Sequence, residues 1–254
     1  MTNGRWQLAH GRSLEFGADA LVMGILNVTP DSFADGGRYF IPEKALEQAA
    51  RMRAEGAAII DIGGESTRPG GQPVTAAEEQ ARILPIVEAL VAEGAIVSID
   101  TYRAETARLA VAAETGAGLL LMHTGRERQK EPDVIADQLA FLEKSIGIAR
   151  AAGVTDEAIV LDPGFGFAKE TPADNLELMA RFEELTALGF PLAVGTSRKR
   201  FVGAVTGKEP DDRDVGTAAT SVILRLKGAV LFRVHNVAIN VDALKVADAM
   251  LAHA

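Results

Sequence analysis

Short apolar runs recur along this chain, each followed by a polar or glycine-rich turn and then by a longer stretch with helical periodicity. That alternation is the mark of parallel βα units, because a strand returns to its sheet in parallel only through a long crossover, usually a helix. The runs predict seven strands, at 20–27, 57–63, 95–101, 118–123, 158–162, 191–196 and 229–235. The intervening patterns predict helices at 42–55, 75–93, 103–115, 132–152, 175–188, 215–227 and 241–253. Gly56, Gly94, Gly116, Gly153, Gly189 and Gly228 close several of these helices, as left-handed C-caps do.

No Pro/Ser/Gly linker or charge block divides the series, so a single α/β barrel domain over 1–254 is expected. An apolar content of 48% is enough for a full core. A formal net charge of −9 argues against a nucleic-acid or anionic-membrane partner, since both require an extended basic face. An anionic substrate then needs a local basic pocket. The absence of Cys excludes disulfides, thiolate metal sites and thiol nucleophiles, and suits a cytoplasmic location. The first sixteen residues mix Arg5, Arg12 and Glu15 among polar positions, which reads as no signal peptide, and no apolar run reaches membrane-spanning length.

In parallel barrels the working residues stand at the C-terminal ends of strands. Asn27, Asp61, Asp100, His123, Asp162, Ser197 and His235 all fall at or near such ends. Any one of them reads equally well as a turn former or helix N-cap, but seven at equivalent places point to one functional rim. Three post-strand turns combine glycine with hydroxyl or basic residues: Asn27-Val-Thr-Pro-Asp-Ser-Phe33 with Gly36-Gly37, Gly63-Gly-Glu-Ser-Thr-Arg-Pro-Gly-Gly71 and Gly195-Thr-Ser-Arg-Lys-Arg200. Backbone N–H groups beside such side chains suit phosphate oxygens, and none of the turns matches a P-loop or a dinucleotide fingerprint.

The stretch Met23-Gly-Ile-Leu-Asn-Val-Thr-Pro-Asp-Ser-Phe-Ala-Asp-Gly-Gly37 resembles the first signature of the dihydropteroate synthases, and Ile60-Asp-Ile-Gly-Gly-Glu-Ser-Thr-Arg-Pro-Gly70 the second. Ser98-Ile-Asp-Thr101, Leu121-Met-His123, Leu161-Asp-Pro-Gly-Phe-Gly-Phe167, Ser197-Arg-Lys199 and Arg233-Val-His235 follow in the family's order, so the resemblance runs from about Leu21 onward. It implies a TIM-type (β/α) barrel and the condensation of a dihydropterin-methyl diphosphate with p-aminobenzoate, releasing pyrophosphate with Mg²⁺ assistance. By the same resemblance, Asp100, Asp162 and Lys199 bind the pterin. Asn27, Thr67, Arg233 and His235 bind the diphosphate, with Asn27 also the Mg²⁺ ligand. Phe33, Thr67, Arg68, Pro69, Ser197 and Lys199 border p-aminobenzoate, the loop of Phe33 closing over it. A homodimer is implied too.

The chemistry is consistent with these roles. A carboxylate can accept two adjacent pterin N–H groups, and Arg233 and His235, two apart on one strand, point to the same face. The arylamine carries a free lone pair near neutral pH, so no general base is assigned. Asp61 and Glu65 read as structural acceptors, His123 as an oriented rim residue, and Arg198, Arg200 and the stretch 126–130 as solvated.

One departure from the family's pattern stands out. Between Asp100 and Leu121 the family places helix, strand and helix, the strand ending in an Asn-Asp pair. Here 102–117 holds a single helical run, Arg103-Ala-Glu-Thr-Ala-Arg-Leu-Ala-Val-Ala-Ala-Glu-Thr115, with no Asn-Asp turn. The expectation is that the two helices are fused near Val111-Ala-Ala113, removing the fourth strand and a pterin-contacting Asn, although an incomplete record of the sequence would look the same. A closed seven-stranded barrel would then change strand tilt and stagger, an open one would expose ladder groups on the strands of Asp100 and Met122, and turnover would be weak or absent. A non-catalytic pterin or phosphate binder on the same barrel and a pterin-binding methyl-transfer barrel are the other readings. Release of pyrophosphate separates all three.

Overall fold

The computed structural model describes residues 4–29, 42–64, 74–101, 117–125, 128–167, 169 and 171–253. In chain order it contains strands β1 (Gly4–Gln7), β2 (Ser13–Phe16) and β3 (Leu21–Asn27), helix α1 (Pro42–Ala54), β4 (Ile59–Gly63), α2 (Ala76–Ala92), β5 (Val97–Asp100) and β6 (Leu119–Met122). There follow α3 (Val134–Ala151), β7 (Ile159–Asp162), α4 (Pro172–Ala180), a 3₁₀ stretch (Phe182–Leu188), β8 (Ala193–Val194), α5 (Arg200–Thr206), α6 (Asp214–Leu226), β9 (Leu231–Val234) and α7 (Val237–Leu251). The chain forms two compact units, Val22–Val111 and Met1–Leu21 with Ala112–Ala254.

In the unit Val22–Val111, β3, β4 and β5 run parallel, with Met23 opposite Ile59 and Ile62 opposite Ile99. Strand β4, Ile-Ile-Asp-Ile-Gly, is buried at all five positions, as a parallel strand covered on both faces must be. Thr75 starts α2 with a capping box, its hydroxyl accepting the Glu78 N–H while Glu78 accepts the N–H of Thr75. Gly64 lets α2 approach the end of β4, since a Cβ there would lie 2.8 Å from Ile83 Cγ2.

The other unit carries β6, β7, β8 and β9 as parallel neighbours, through Leu119–Ile159 pairing, a bridge from Leu161 to Leu192, and Ala193–Leu231 pairing. An antiparallel hairpin of β1 and β2 accompanies them, one the sequence reading did not anticipate. It is pinned by the Trp6 indole N–H donating to the Ala158 carbonyl at 3.0 Å, and only glycine fits at 118 beneath that indole. Buried Arg225 ties α6 to Asp248 of α7 and to the Ala18 carbonyl.

The expected elements are found with three corrections among the described residues. The helix expected at 175–188 starts earlier, at Pro172 behind a Thr171 cap, and breaks at Arg181 into the 3₁₀ stretch. The last helix begins at Val237, because the Asn236 side chain caps it by accepting the Ile239 N–H. A short helix, α5, follows Lys199 where only a turn was expected. Gly56, Gly94, Gly153, Gly189 and Gly228 have positive φ, as C-caps require. The helix expected at 103–115, with Gly116, lies outside the described residues.

Among the described residues β5 pairs only with β4, and β6 only with β7. No residue of either is buried, whereas all four of β7 are.

Candidate active site

Strand β7 delivers Asp162 to a buried position at its C-terminal end. One carboxylate oxygen, Oδ1, accepts the Gly164 N–H at 2.7 Å, and the other faces the turn after β8, 4.0 Å from where a Cβ on Gly195 would stand. The same Cβ would meet Arg233 at 3.9 Å, so the bare Gly195 backbone keeps open a space bordered by a carboxylate and a guanidinium stem. Burial pushes the Asp162 carboxyl up, opposed by the Gly164 N–H and by the charges of Lys199, Lys169 and Arg233.

Lys199, the residue before α5, holds its ammonium 4.0 Å above the Phe167 ring. Gly166 has φ of 76° and leaves room for this, since a Cβ there would sit 3.0 Å from Lys199 Cδ. Phe167 lies inside the motif at 161–167 but had been given no role. An aromatic face and an ammonium beside a carboxylate are what a flat, polar-edged ring system requires.

The Ser197 hydroxyl accepts the backbone N–H of His235 at 3.1 Å and lies 2.9 Å from His235 Nδ1. With its hydrogen donated to Nδ1, the neutral imidazole carries its proton on Nε2 and can donate it outward. Arg233 and His235 stand at the end of β9.

Arg198 is not solvated as expected. It occupies a left-handed conformation, φ 58°, rare for a side-chain-bearing residue, and its N–H donates to Thr217 Oγ1. Its guanidinium grips Asp214 through Nε at 2.8 Å and Nη2 at 3.0 Å, and Asn236 donates to the same carboxylate. Despite partial burial of Asp214, the Arg198 and Asn236 donors hold its carboxyl below the usual range. The pair fixes the backbone between Ser197 and Lys199. Arg128, in the stretch expected to be solvated, likewise donates to both oxygens of Asp137 at 2.7 Å. His123 is a buried, oriented residue as expected, 2.9 Å from Asp137.

In the unit Val22–Val111, Asn27 ends β3 and Asp100 ends β5. A Cβ on Gly63 would lie 3.6 Å from Asn27 Oδ1 and 3.9 Å from Asp100 Cβ, so these two side chains flank the end of β4. Asp61 is buried within β4, while Asp100 is exposed. Phe33, Thr67, Arg68, Pro69 and Glu65 lie outside the described residues.

Among the described residues no three His, Asp or Glu converge as a metal site. Mg²⁺ requires no such cluster when water and substrate phosphates fill most of its shell, and the Asn27 amide oxygen is a hard donor of the right kind.

The model of the family described as pterin binding enzyme matches residues 23–113 and 107–235. A dihydropteroate synthase of Bacillus subtilis (strain 168) is 44% identical over 262 residues, covering 94% of this chain and 91% of the relative. The synthase of Xanthomonas albilineans solved with 4-aminobenzoic acid has a TM-score of 0.88 at 40% identity, covering 98% of this chain and 99% of that one. That of Burkholderia cenocepacia complexed with 7,8-dihydropteroate has a TM-score of 0.87 at 37% identity, covering 98% and 97%. The family model matches in two segments that overlap at 107–113, and the Bacillus alignment spans 262 positions.

Proposed function

The chain belongs to the pterin-binding enzymes, and among them to the dihydropteroate synthases, and on that premise we propose how its residues divide the work. Its fold class is the TIM-type (β/α) barrel. Its reaction is that of the family: (7,8-dihydropterin-6-yl)methyl diphosphate and p-aminobenzoate condense to 7,8-dihydropteroate and pyrophosphate.

In this reading Asp162 accepts the pterin's adjacent N–H donors through the oxygen that faces Gly195, and Asp100 supplies a further carboxylate. Lys199 and Phe167 form the wall along which the pterin and the aryl ring lie. The methylene–oxygen bond breaks with its electron pair leaving on pyrophosphate, and the amine lone pair forms the C–N bond. The amine then releases a proton to the departing pyrophosphate, so no protein base is required. Arg233 and the His235 Nε2–H receive the charge that develops on the leaving diphosphate. Asn27 would hold Mg²⁺, which would supply positive charge against that of the leaving diphosphate. Ser197 acts chiefly by fixing the tautomer of His235, in addition to bordering p-aminobenzoate. Thr67 on the diphosphate side, with Phe33, Thr67, Arg68 and Pro69 around p-aminobenzoate, completes the assignment by family resemblance. The loop of Phe33 excludes water that would otherwise compete for the methylene carbon.

The observation that carries this reading is the buried Asp162 carboxylate, with one oxygen tied to Gly164 and the other facing the glycine turn that Arg233 borders. A homodimer is part of the proposal, supported by exposed apolar side chains on α5 to α7, among them Val205, Val215, Val246 and Met250. A cytoplasmic setting is also proposed. No helix among the described residues is long and apolar enough to cross a membrane. The test is pyrophosphate release by protein of verified mass. Release requiring both substrates together supports the reading. Release without p-aminobenzoate overturns it, and no release with both present assigns the chain to the non-catalytic binder instead.

A further inference from the structure

Behind the carboxylate of Asp162 lies a cluster that the chemistry above does not use: Lys169, His123, Asp137 and Arg128. Lys169 is 5% exposed, which is rare for a lysine. Its Nζ stands 2.6 Å from the Pro163 carbonyl, 3.0 Å from that of Gly164, 3.2 Å from that of Phe167 and 3.0 Å from His123 Nδ1. An ammonium has three hydrogens, so four acceptors saturate it. Nearly the whole loop between β7 and α4 is wound around this one nitrogen. The Asn175 side chain holds the remainder, accepting the Gly166 N–H and donating to the carbonyls of Lys169 and Thr171.

One bond in this set connects directly to the ligand side. The Pro163 carbonyl that accepts from Lys169 and the Gly164 N–H that donates to Asp162 Oδ1 belong to the same peptide unit. Withdrawing electron density at the carbonyl strengthens the N–H as a donor, so the lysine acts on the carboxylate through one polarised peptide. The amino group is itself anchored from behind. His123 Nδ1 accepts from Lys169, which leaves the ring proton on Nε2 to meet Asp137, and Arg128 closes the far side of that carboxylate. The closeness of Arg128 to His123 Nε2 follows because both donate to Asp137 Oδ2. Gly164 completes the fit. With φ of 65° it packs against the His123 carbonyl, where a Cβ would lie at 2.3 Å.

Burying an amine is costly, and a purely packing role at this place would be met by Met or Leu. We propose that Lys169 is a positioning residue for pterin binding, fixing Asp162 Oδ1 through the Pro163–Gly164 peptide and setting the Phe167 ring in place beneath Lys199. Burial pulls its ammonium down to about 7, with the carboxylates of Asp162 and Asp137 opposing, as expected for an amine enclosed by protein dipoles.

The inference rests on Asp162 being the pterin acceptor, and the experiment separates the two. A 6-hydroxymethyl pterin is titrated into the intact protein, Lys169→Met, Lys169→Gln and Asp162→Asn, and pyrophosphate is titrated into each as a second probe. Lys169→Met should weaken the pterin about 10-fold and leave pyrophosphate within about twofold, because His235 is positioned by Ser197. Lys169→Gln, which keeps two N–H donors, should lie between and is decisive if the Met variant does not fold. Unchanged pterin affinity in the folded Lys169 variants, with Asp162→Asn impaired, overturns the inference. So does an equal loss of both ligands, the sign of general disorder. Unchanged pterin affinity in Asp162→Asn overturns the reading of the site instead.

Discussion

Strands β4 and β5 are paired residue by residue, yet β4 is buried at every position and β5 at none. The same contrast separates β7 from β6, its partner in register. Composition does not explain it, because Leu-Leu-Leu-Met in β6 is as apolar as Ile-Val-Leu-Asp in β7. What differs is coverage. A parallel strand is made to be closed in by neighbours on both edges and by layers on both faces, and a strand that lacks one neighbour keeps its sequence but loses its burial. β5 and β6 precede and follow 102–116, outside the described residues, where the sequence leads us to expect the family's fourth strand to be missing.

This comparison is open to direct attack. Leu161 of β7 is fully buried and Leu121 of β6 is not. Leu161→Ala should cost about 2–5 kcal/mol in urea unfolding and Leu121→Ala only about 1 kcal/mol. Equal losses would mean that β6 is as well packed as its neighbour.

A second effect comes from His123, the buried residue that follows β6. Burial above all, with the Lys169 charge, pulls the His123 imidazole from 6.5 to about 4, against the pull of Asp137. The native ring stays neutral between those values while the unfolded chain takes up a proton. The contribution is therefore complete above pH 6.5 and lost as pH falls toward 4, by up to about 3 kcal/mol. Asp137 is held below the usual carboxylate range by Arg128, the Glu131 N–H and His123 despite its own burial, so it adds a loss only below about pH 3.8. Unfolding free energies measured from pH 7.5 to 4 should show this decline, and His123→Gln should flatten it.

Much of the frame was legible because it rests on local patterns. The seven apolar runs became strands, and Gly56, Gly94, Gly153, Gly189 and Gly228 adopted the positive φ of helix ends. What escaped depends on partners distant in sequence. Four-residue strands such as β1 and β2 carry little signal of their own, and their hairpin is held by Trp6 reaching Ala158. Arg198 and Arg128 read as solvated because their carboxylates lie on helices that pack back against them. The break after Ala180 coincides with Arg181, which is drawn to Asp133, Glu177 and Glu184 at once. Asp162 was legible through its motif, while Lys169 looked like an ordinary basic residue in a loop. Only the fold turns that loop inward.

If pterin recognition belongs to the intact, tethered strand end, then the two carboxylates proposed for it cannot be equivalent. Asp162 is buried and held by Gly164, whereas Asp100 stands exposed at the end of β5. Titration of a 6-hydroxymethyl pterin should show about a 100-fold loss for Asp162→Asn and less than about 10-fold for Asp100→Asn, since a charged acceptor contributes most where water cannot replace it. Equal losses, or the greater loss at Asp100, would contradict the account.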